Sequence, residues 1–420
     1  MSVTQEELGR RLKAAREACG MTQDEVGRRL GLSRSTVAQM ELGNRAVNSL
    51  ELDRLAYLFG RDIKDFLAEE FHEEDAMVAL FRAHPEVADQ EQVVEALRHC
   101  LALGREVTNL ERLLDIHREV MAIAQYSVPQ PNSKWEAVQQ GERIAEEERR
   151  RLGLGIVPIA NVAEVLETQG VRTALVDLPE DISGMTLSEP NVGLFVVINR
   201  THHFLRRRFS YAHEYAHVLF DRERSGTVSR TEDRDQFIEV RANAFAANFL
   251  MPEGGVQQFI FALGKGQPSR SNVNVFDEKG VSEVLSRAEP QSQDIQIYDV
   301  AHLAHHFAVS RLAALYRLRN MRLITDTELA HLKELEERGV GSELATLLDL
   351  PEPDHMAARN EFRHRFLNLG LEALRRGEIT RAKLGELAQM VELSSEDLQR
   401  LLRDSGLADE EEGDVLVADE

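Results

Sequence analysis

Two stretches of the chain hold side chains whose types and spacing could run metal-assisted hydrolysis. The first is Phe209 to Phe220, an apolar run with helical periodicity that contains His213-Glu214-x-x-His217. Residues i and i+4 of a helix share a face about one turn apart, so both imidazoles can reach one cation while Glu214 sits beside them. Zinc hydrolysis needs that set: two neutral nitrogen ligands, and an acid/base carboxylate that takes a proton from water without holding the metal. Burying two histidines and a glutamate without a partner would be costly. A third protein ligand is expected, and the second stretch, Glu239 to Leu250, offers one. Small and aromatic residues dominate it, Met251-Pro252 closes it, and its Glu239 and Asn243 share a face. Glu239 leads Asp235 and Glu232, which fall in the more polar approach.

The run Ser210-Tyr211-Ala212-His213-Glu214-Tyr215-Ala216-His217, taken with Glu239-Val240-Arg241-Ala242-Asn243-Ala244-Phe245-Ala246-Ala247-Asn248-Phe249-Leu250-Met251-Pro252, resembles the signature of the ImmA/IrrE family of bacterial metallopeptidases. The resemblance implies a zinc-dependent endopeptidase with an α+β core similar to that of thermolysin-type enzymes. Its members characteristically cleave helix-turn-helix repressors and so relieve repression in stress responses or mobile elements. By motif position it implies that His213 and His217 bind Zn2+, Glu214 activates water and Glu239 completes the ligand set. Tyr211 and Tyr215 are larger than the residues often found there.

Other elements must position these residues. Ala160 to Thr168 reads as a short helix stopped by Gly170, and Val171 to Val176 and Gly193 to Asn199 read as strands. They resemble the small sheet that precedes the catalytic helix in that family. Residues 185–199 are expected to supply an edge strand that takes substrate backbone as an added strand. Trp135 to Arg151 reads as a polar helix whose run from Glu146 to Arg151 is a solvated face. Arg206 to Arg208 either pair with the acidic body or steer an acidic substrate, and His202 and His203 are not expected to be ligands. Gly264 to Asn274 reads as a mobile loop near the cleft. The run from Asp299 to Leu318 has helix-turn-helix packing; Tyr298 and His302 are candidate donors to the tetrahedral oxyanion. His302, His305, His306 and His331 are assigned to the surface rather than to a second metal cluster.

The N-terminal module reads independently. Gln5 to Ala18 is an amphipathic helix; Thr22 caps Gln23 to Leu30 with Glu25 at the capping-box position; Ser33 caps Arg34 to Glu41 after the tight turn at Gly31-Leu32. A fourth helix starts at Ser49 and a fifth is expected from Asp62 to Leu67. The run Thr22-Gln23-x-x-Val26-Gly27-x-x-Leu30-Gly31-Leu32-Ser33-x-x-x-Val37-x-x-Met40-Glu41-x-Gly43 resembles the Xre/Cro repressor family. That resemblance implies that Gln23 bonds the DNA backbone and that Arg34, Ser35, Thr36 and Gln39 face bases. Asn44 and Arg45 are the candidate phosphate contacts.

Charge agrees with one DNA-reading module on an acidic body. The chain of 420 residues carries −22, but residues 1–60 hold nine Arg/Lys against eight Asp/Glu, or +1, leaving −23 for the rest. Cys19 and Cys100 make neither a disulfide framework nor a thiolate metal site. No run is long and apolar enough for a bilayer, and the first residues are neither a basic nor an apolar signal region. A cytoplasmic protein without a membrane partner is therefore expected.

The expected fold class is multidomain and mostly α. It comprises an Xre-type helix-turn-helix at 1–68, a helical linker region at 69–132 and an α+β zinc peptidase core at 133–262. A C-terminal helical region at 263–408 and an acidic disordered tail at 409–420 complete it. The leading function is a zinc endopeptidase acting on an Xre-type repressor, with double-stranded DNA bound by the N-terminal module and a homodimer adding contacts to it. The second reading is a DNA-binding transcriptional regulator whose zinc domain serves mainly as a sensor.

Overall fold

The computed structural model describes residues 3–19, 21–59, 61, 63–68, 90–116, 124–189, 193–221, 226–230, 233–265, 271–277, 280–286, 293–348, 350 and 361–407. Helices α1 (Gln5–Ala18), α2 (Gln23–Leu30), α3 (Arg34–Glu41), α4 (Ser49–Leu58) and α5 (Ile63–Leu67) make the N-terminal module. Local sequence sets their ends. Thr4 and Ser33 cap α1 and α3, and Thr22 and Glu25 form the expected reciprocal capping box. Leu12, Ala15, Val26, Val37, Met40, Leu55, Phe59 and Phe66 fill the core.

Helix α6 (Glu91–Leu113) joins what sequence reading kept apart. Its first half buries Val93, Val94, Leu97 and Leu101 against a sheet face built from Ile182, Met185, Leu187, Phe195 and Val197. Its second half buries Leu103, Val107 and Leu110 among C-terminal helices. Arg98 also donates to the Leu58 carbonyl of the N-terminal module. Within the helical linker region expected at 69–132, residues 91–113 thus form a packed strut, while residues 69–89 lie outside the described residues.

The central region contains α7 (Lys134–Arg151), α8 (Val162–Thr168), β1 (Arg172–Val176), β2 (Ile182–Glu189), β3 (Gly193–Asn199), α9 (Phe204–Phe220), β4 (Gly226–Arg230), α10 (Phe237–Leu250) and α11 (Glu253–Ala262). The sheet order is β1-β3-β2-β4, with β1 parallel to β3 and the other pairs antiparallel. This corrects the expectation for residues 185–199. Both β2 and β3 are interior, and the edges are β1 and β4; β4 reads Gly-Thr-Val-Ser-Arg, too short and polar to announce itself as a strand. A bulge between Ile182 and Gly184 sets the faces of β2. Met185 and Leu187 then face α6 while Gly184 and Thr186 face α9.

Helix α7 lies along α10, and Gly141 permits it: a Cβ there would stand 2.5 Å from the Arg241 carbonyl oxygen and 2.8 Å from Phe245 N. The charged run of α7 is not simply a solvated face. Glu148 is fully buried and accepts from Tyr126, Tyr215 and Arg151. Arg149 is buried and donates to the carbonyls of Gly155, Val157 and Phe249. Backbone acceptors supplied by the following loop and by α10 make that burial tolerable.

Beyond α11, strands β5 (Ser271–Asp277) and β6 (Gly280–Ser286) form an antiparallel ribbon that begins inside the expected loop. Helices α12 (Ile297–Phe307), α13 (Arg311–Asn320), α14 (Asp326–Glu337) and α15 (Val340–Leu347) follow. They share one apolar core with α7 to α11, through Val300, Leu303, Phe307, Leu315 and Leu318. Helices α16 (Glu361–Arg375), α17 (Arg381–Met390) and α18 (Ser395–Asp404) instead pack on the second half of α6. Residues 263–408 therefore divide between two cores. The acidic tail expected at 409–420 lies outside the described residues, among which no helix is long and apolar enough to cross a membrane.

Candidate metal centre

Helices α9 and α10 bring His213, His217 and Glu239 together, all buried, with one ligand atom from each inside a 4.8 Å group. The Nε2 atoms of His213 and His217 are 3.2 Å apart. Glu239 Oε2 lies 3.1 Å from His213 Nε2, and its Oε1 lies 3.4 Å from His217 Nε2. Ligand atoms around a tetrahedral zinc, each at about 2.0–2.1 Å, stand about 3.3–3.4 Å from one another, so these residues fit such an ion.

What stands behind each imidazole fixes which nitrogen faces inward. His213 Nδ1 is 3.0 Å from Asn243 Oδ1, and His217 Nδ1 is 3.0 Å from Asp221 Oδ2. An oxygen acceptor there holds the proton on Nδ1 and leaves the Nε2 lone pair for a cation. The other Asp221 oxygen accepts from Arg241 Nη2 at 2.8 Å.

The electrostatics ask for positive charge at the centre. Burial opposes a charged His217, yet hydrogen bonds to Asp221 and Glu239, with the nearby Glu214, carry its pKa up to about 10. Burial favours a neutral Glu239, yet the two histidines hold its carboxyl far below the usual range. In the absence of a cation, a proton on the imidazole supplies the missing charge; a divalent ion would replace it.

Glu214 is fully buried beside this group. Its Oε2 accepts from Thr186 Oγ1 at 2.7 Å, while its Oε1 meets no hydrogen-bond partner among the described residues. Gly184 makes space for that carboxylate, because a Cβ at 184 would come within 2.9 Å of Oε1. One oxygen is held, and the other is a buried acceptor without a partner among the described residues.

The remaining candidates fall elsewhere. Asp235 is exposed and pairs with Lys134 at 2.6 Å, and Glu232 lies outside the described residues. Tyr298 is 45% exposed, with Lys265 Nζ 3.5 Å from its hydroxyl; His302 is half-buried. Among the described residues, no hydrogen bond or ring contact joins either to His213, Glu214, His217 or Glu239. Buried Arg208 donates to the carbonyls of Ile159, Ala160 and Ala308, a structural role. His202 is buried beside the Glu180 carbonyl, and His203 caps α9.

In the N-terminal module Arg34, Ser35, Gln39 and Asn44 are exposed and Thr36 and Arg45 are half-buried. Asn44 donates to Gln39 Oε1 at 3.0 Å, and Arg45 pairs with Glu51 at 2.7 Å. The Ser35 and Thr36 hydroxyls each lie 2.8 Å from Ser33 Oγ. Gln23 donates to Glu41 at 2.9 Å, within a buried network that includes Arg16.

Sequence reading missed Asp221, Arg241, Thr186 and Gly184. The first two left a trace: Asp221 lies four residues past His217, on the same helical face, and Arg241 is the sole cation in an apolar helix. Thr186 and Gly184 left none, since only strand pairing brings β2 under α9.

A helix-turn-helix domain model matches residues 7–66, and a peptidase family model described as an IrrE N-terminal-like domain matches residues 167–269. The second range contains all four residues of the centre. No curated protein matches the chain. Among solved structures, ComR from Streptococcus suis is similar at 10% sequence identity over 93% of this chain and 95% of that chain. Its TM-score against this chain is 0.16.

Proposed function

We propose that this chain, which joins an N-terminal helix-turn-helix domain to a central IrrE/ImmA-like peptidase domain, is a zinc-dependent endopeptidase that cleaves an Xre-type repressor. Cleavage would derepress stress or mobile-element genes. The observation that carries the reading is the convergence of His213, His217 and Glu239 beside a carboxylate with one unpartnered oxygen. His213, His217 and Glu239 would hold Zn2+, which supplies a Lewis acid that polarises water and the scissile carbonyl. Thr186 keeps Glu214 turned so that Oε1 can take the proton of the attacking water and pass it to the leaving amine. A purely structural metal site has no need of Glu214. Edge strand β4, paired on one side with β2, offers its other side to substrate backbone.

The N-terminal domain would bind double-stranded DNA through Gln23, Arg34, Ser35, Thr36, Gln39, Asn44 and Arg45. A pair of chains would add their phosphate contacts and offset the small positive excess of one module.

The test incubates zinc-loaded wild type and Glu214→Gln with the Xre-type repressors encoded beside this gene. Wild type should give discrete products, and a variant that retains zinc should slow cleavage by about 10²–10⁴-fold. If neither protein cuts while both bind the same operator, the DNA-binding regulator with a zinc sensor replaces the protease.

A further inference from the structure

We infer that Asp221 is a positioning residue that sets the strength of the metal site through His217, and that Arg241 holds it in place. The inference rests on the zinc reading above and extends it to residues outside the ligand set. The two imidazoles are backed differently. His213 Nδ1 meets the neutral Asn243 amide oxygen, whereas His217 Nδ1 meets the Asp221 carboxylate. A carboxylate on Nδ1–H makes Nε2 a stronger donor than an amide does, and it fixes the ring more firmly. His217 is thus the ligand whose donor strength the protein raises most.

The position of Asp221 is otherwise unfavourable. It is the C-cap of α9, where the helix dipole opposes a negative charge, and it is 7% exposed. Arg241 removes that cost by donating to Asp221 Oδ1 at 2.8 Å. The guanidinium is itself 1% exposed, lies 4.7 Å from the centre of the Phe220 ring and reaches Gln140 Oε1 at 3.4 Å. Gln140 precedes Gly141, at which α7 comes within contact of the Arg241 backbone. A chain of contacts therefore runs from α7 through Arg241 and Asp221 to the inward nitrogen of His217.

The test measures zinc affinity of the metal-free full chain against a chromophoric chelator, at a temperature where circular dichroism shows each variant folded. Asp221→Asn, which keeps the size and an acceptor oxygen but loses the charge, should weaken zinc about 10-fold; Asp221→Ala should approach 100-fold. Arg241→Gln should fall between wild type and Asp221→Ala, and the visible bands of the cobalt(II) forms should shift in both Asp221 variants. A purely structural role would lower the melting temperature and leave affinity and cobalt spectrum unchanged. Affinities within about threefold of wild type, with unchanged spectra, overturn the inference. Should Asp221→Ala fail to fold, the near-isosteric Asn variant decides. A wild type that takes up no zinc brings down the metal reading itself, whereas tight wild-type binding with indifferent variants removes only the role of Asp221.

Discussion

Helix α3, the proposed DNA-reading helix, and the candidate metal centre treat their polar side chains in opposite ways. On α3, Arg34, Ser35 and Gln39 stand exposed, and the ties they make are to other surface groups such as Asn44 and Ser33. At the centre, His213, Glu214, His217 and Glu239 are buried, and a neighbour fixes each: Asn243, Thr186, Asp221 and the two histidines. The difference follows the ligand each would take. A duplex brings its own donors, acceptors and phosphates, so its reader keeps side chains free to meet them. A small cation brings charge alone, so its site must carry the full donor set already aimed inward, in a medium where a misplaced group is expensive.

Metal removal should break the symmetry most visibly. Stripping zinc with a chelator should remove about 4 kcal/mol of stability from the central region where free zinc was 1,000 times its dissociation constant, and its melting temperature should fall accordingly. Operator binding by the N-terminal module should persist. The pH dependence has a definite sign. The pKa of His217, raised to about 10 in the folded metal-free chain, exceeds the unfolded value near ~6.5. Its contribution to metal-free stability is therefore fully present below about 6.5 and is lost as pH rises through about 10. Zinc must displace that proton, so its affinity should rise about tenfold per pH unit across the same window. Calorimetric melting and chelator competition at pH 6 to 9 check both; a zinc affinity that is flat with pH contradicts the coupling.

Substitutions on α3 probe the other side of the comparison. Arg34→Ala or Gln39→Ala should cost about 1–3 kcal/mol of operator affinity and relax preference at one base position. Neither should alter zinc affinity or the cleavage of a repressor in free solution. Fluorescence anisotropy with matched and mismatched duplexes measures the first, and a loss of zinc in either variant would show that the two regions are not independent.

Much of this contrast was legible in the sequence because local signals carry it. The capping box at Thr22 and Glu25, the i,i+4 histidines and the apolar run around Glu239 are all features of single helices. What escaped depends on partners distant in the chain. Glu148 and Arg149 look like surface charge until Tyr126, Tyr215 and the Phe249 carbonyl close over them. Strand β4 has little apolar alternation of its own, and a bulge between Ile182 and Gly184 interrupts that of β2, so their places in the sheet follow from pairing rather than from composition. Residues 91–113 fall in a stretch expected only as a helical linker region, and nothing in the sequence says that the two halves of α6 serve two cores.

Thr186 is the smallest lever on the buried side, and it separates orientation from charge. Its hydroxyl donates to Glu214 Oε2 at 2.7 Å and also lies 3.3 Å from the Glu214 carbonyl oxygen, so it fixes the carboxylate without touching His213, His217 or Glu239. Thr186→Val keeps the shape and removes the donor, which leaves both Glu214 oxygens unpartnered in a buried site. The carboxylate should then rotate or recruit water. Cleavage should drop about tenfold in kcat, by about 1.4 kcal/mol, with zinc affinity unchanged and KM little moved. Thr186→Ser restores the hydroxyl and should recover most of the rate. A Val variant as fast as wild type would mean that Gly184 and the walls of the pocket suffice to aim Glu214; one that loses zinc would mean that β2 supports the ligands as well as the base.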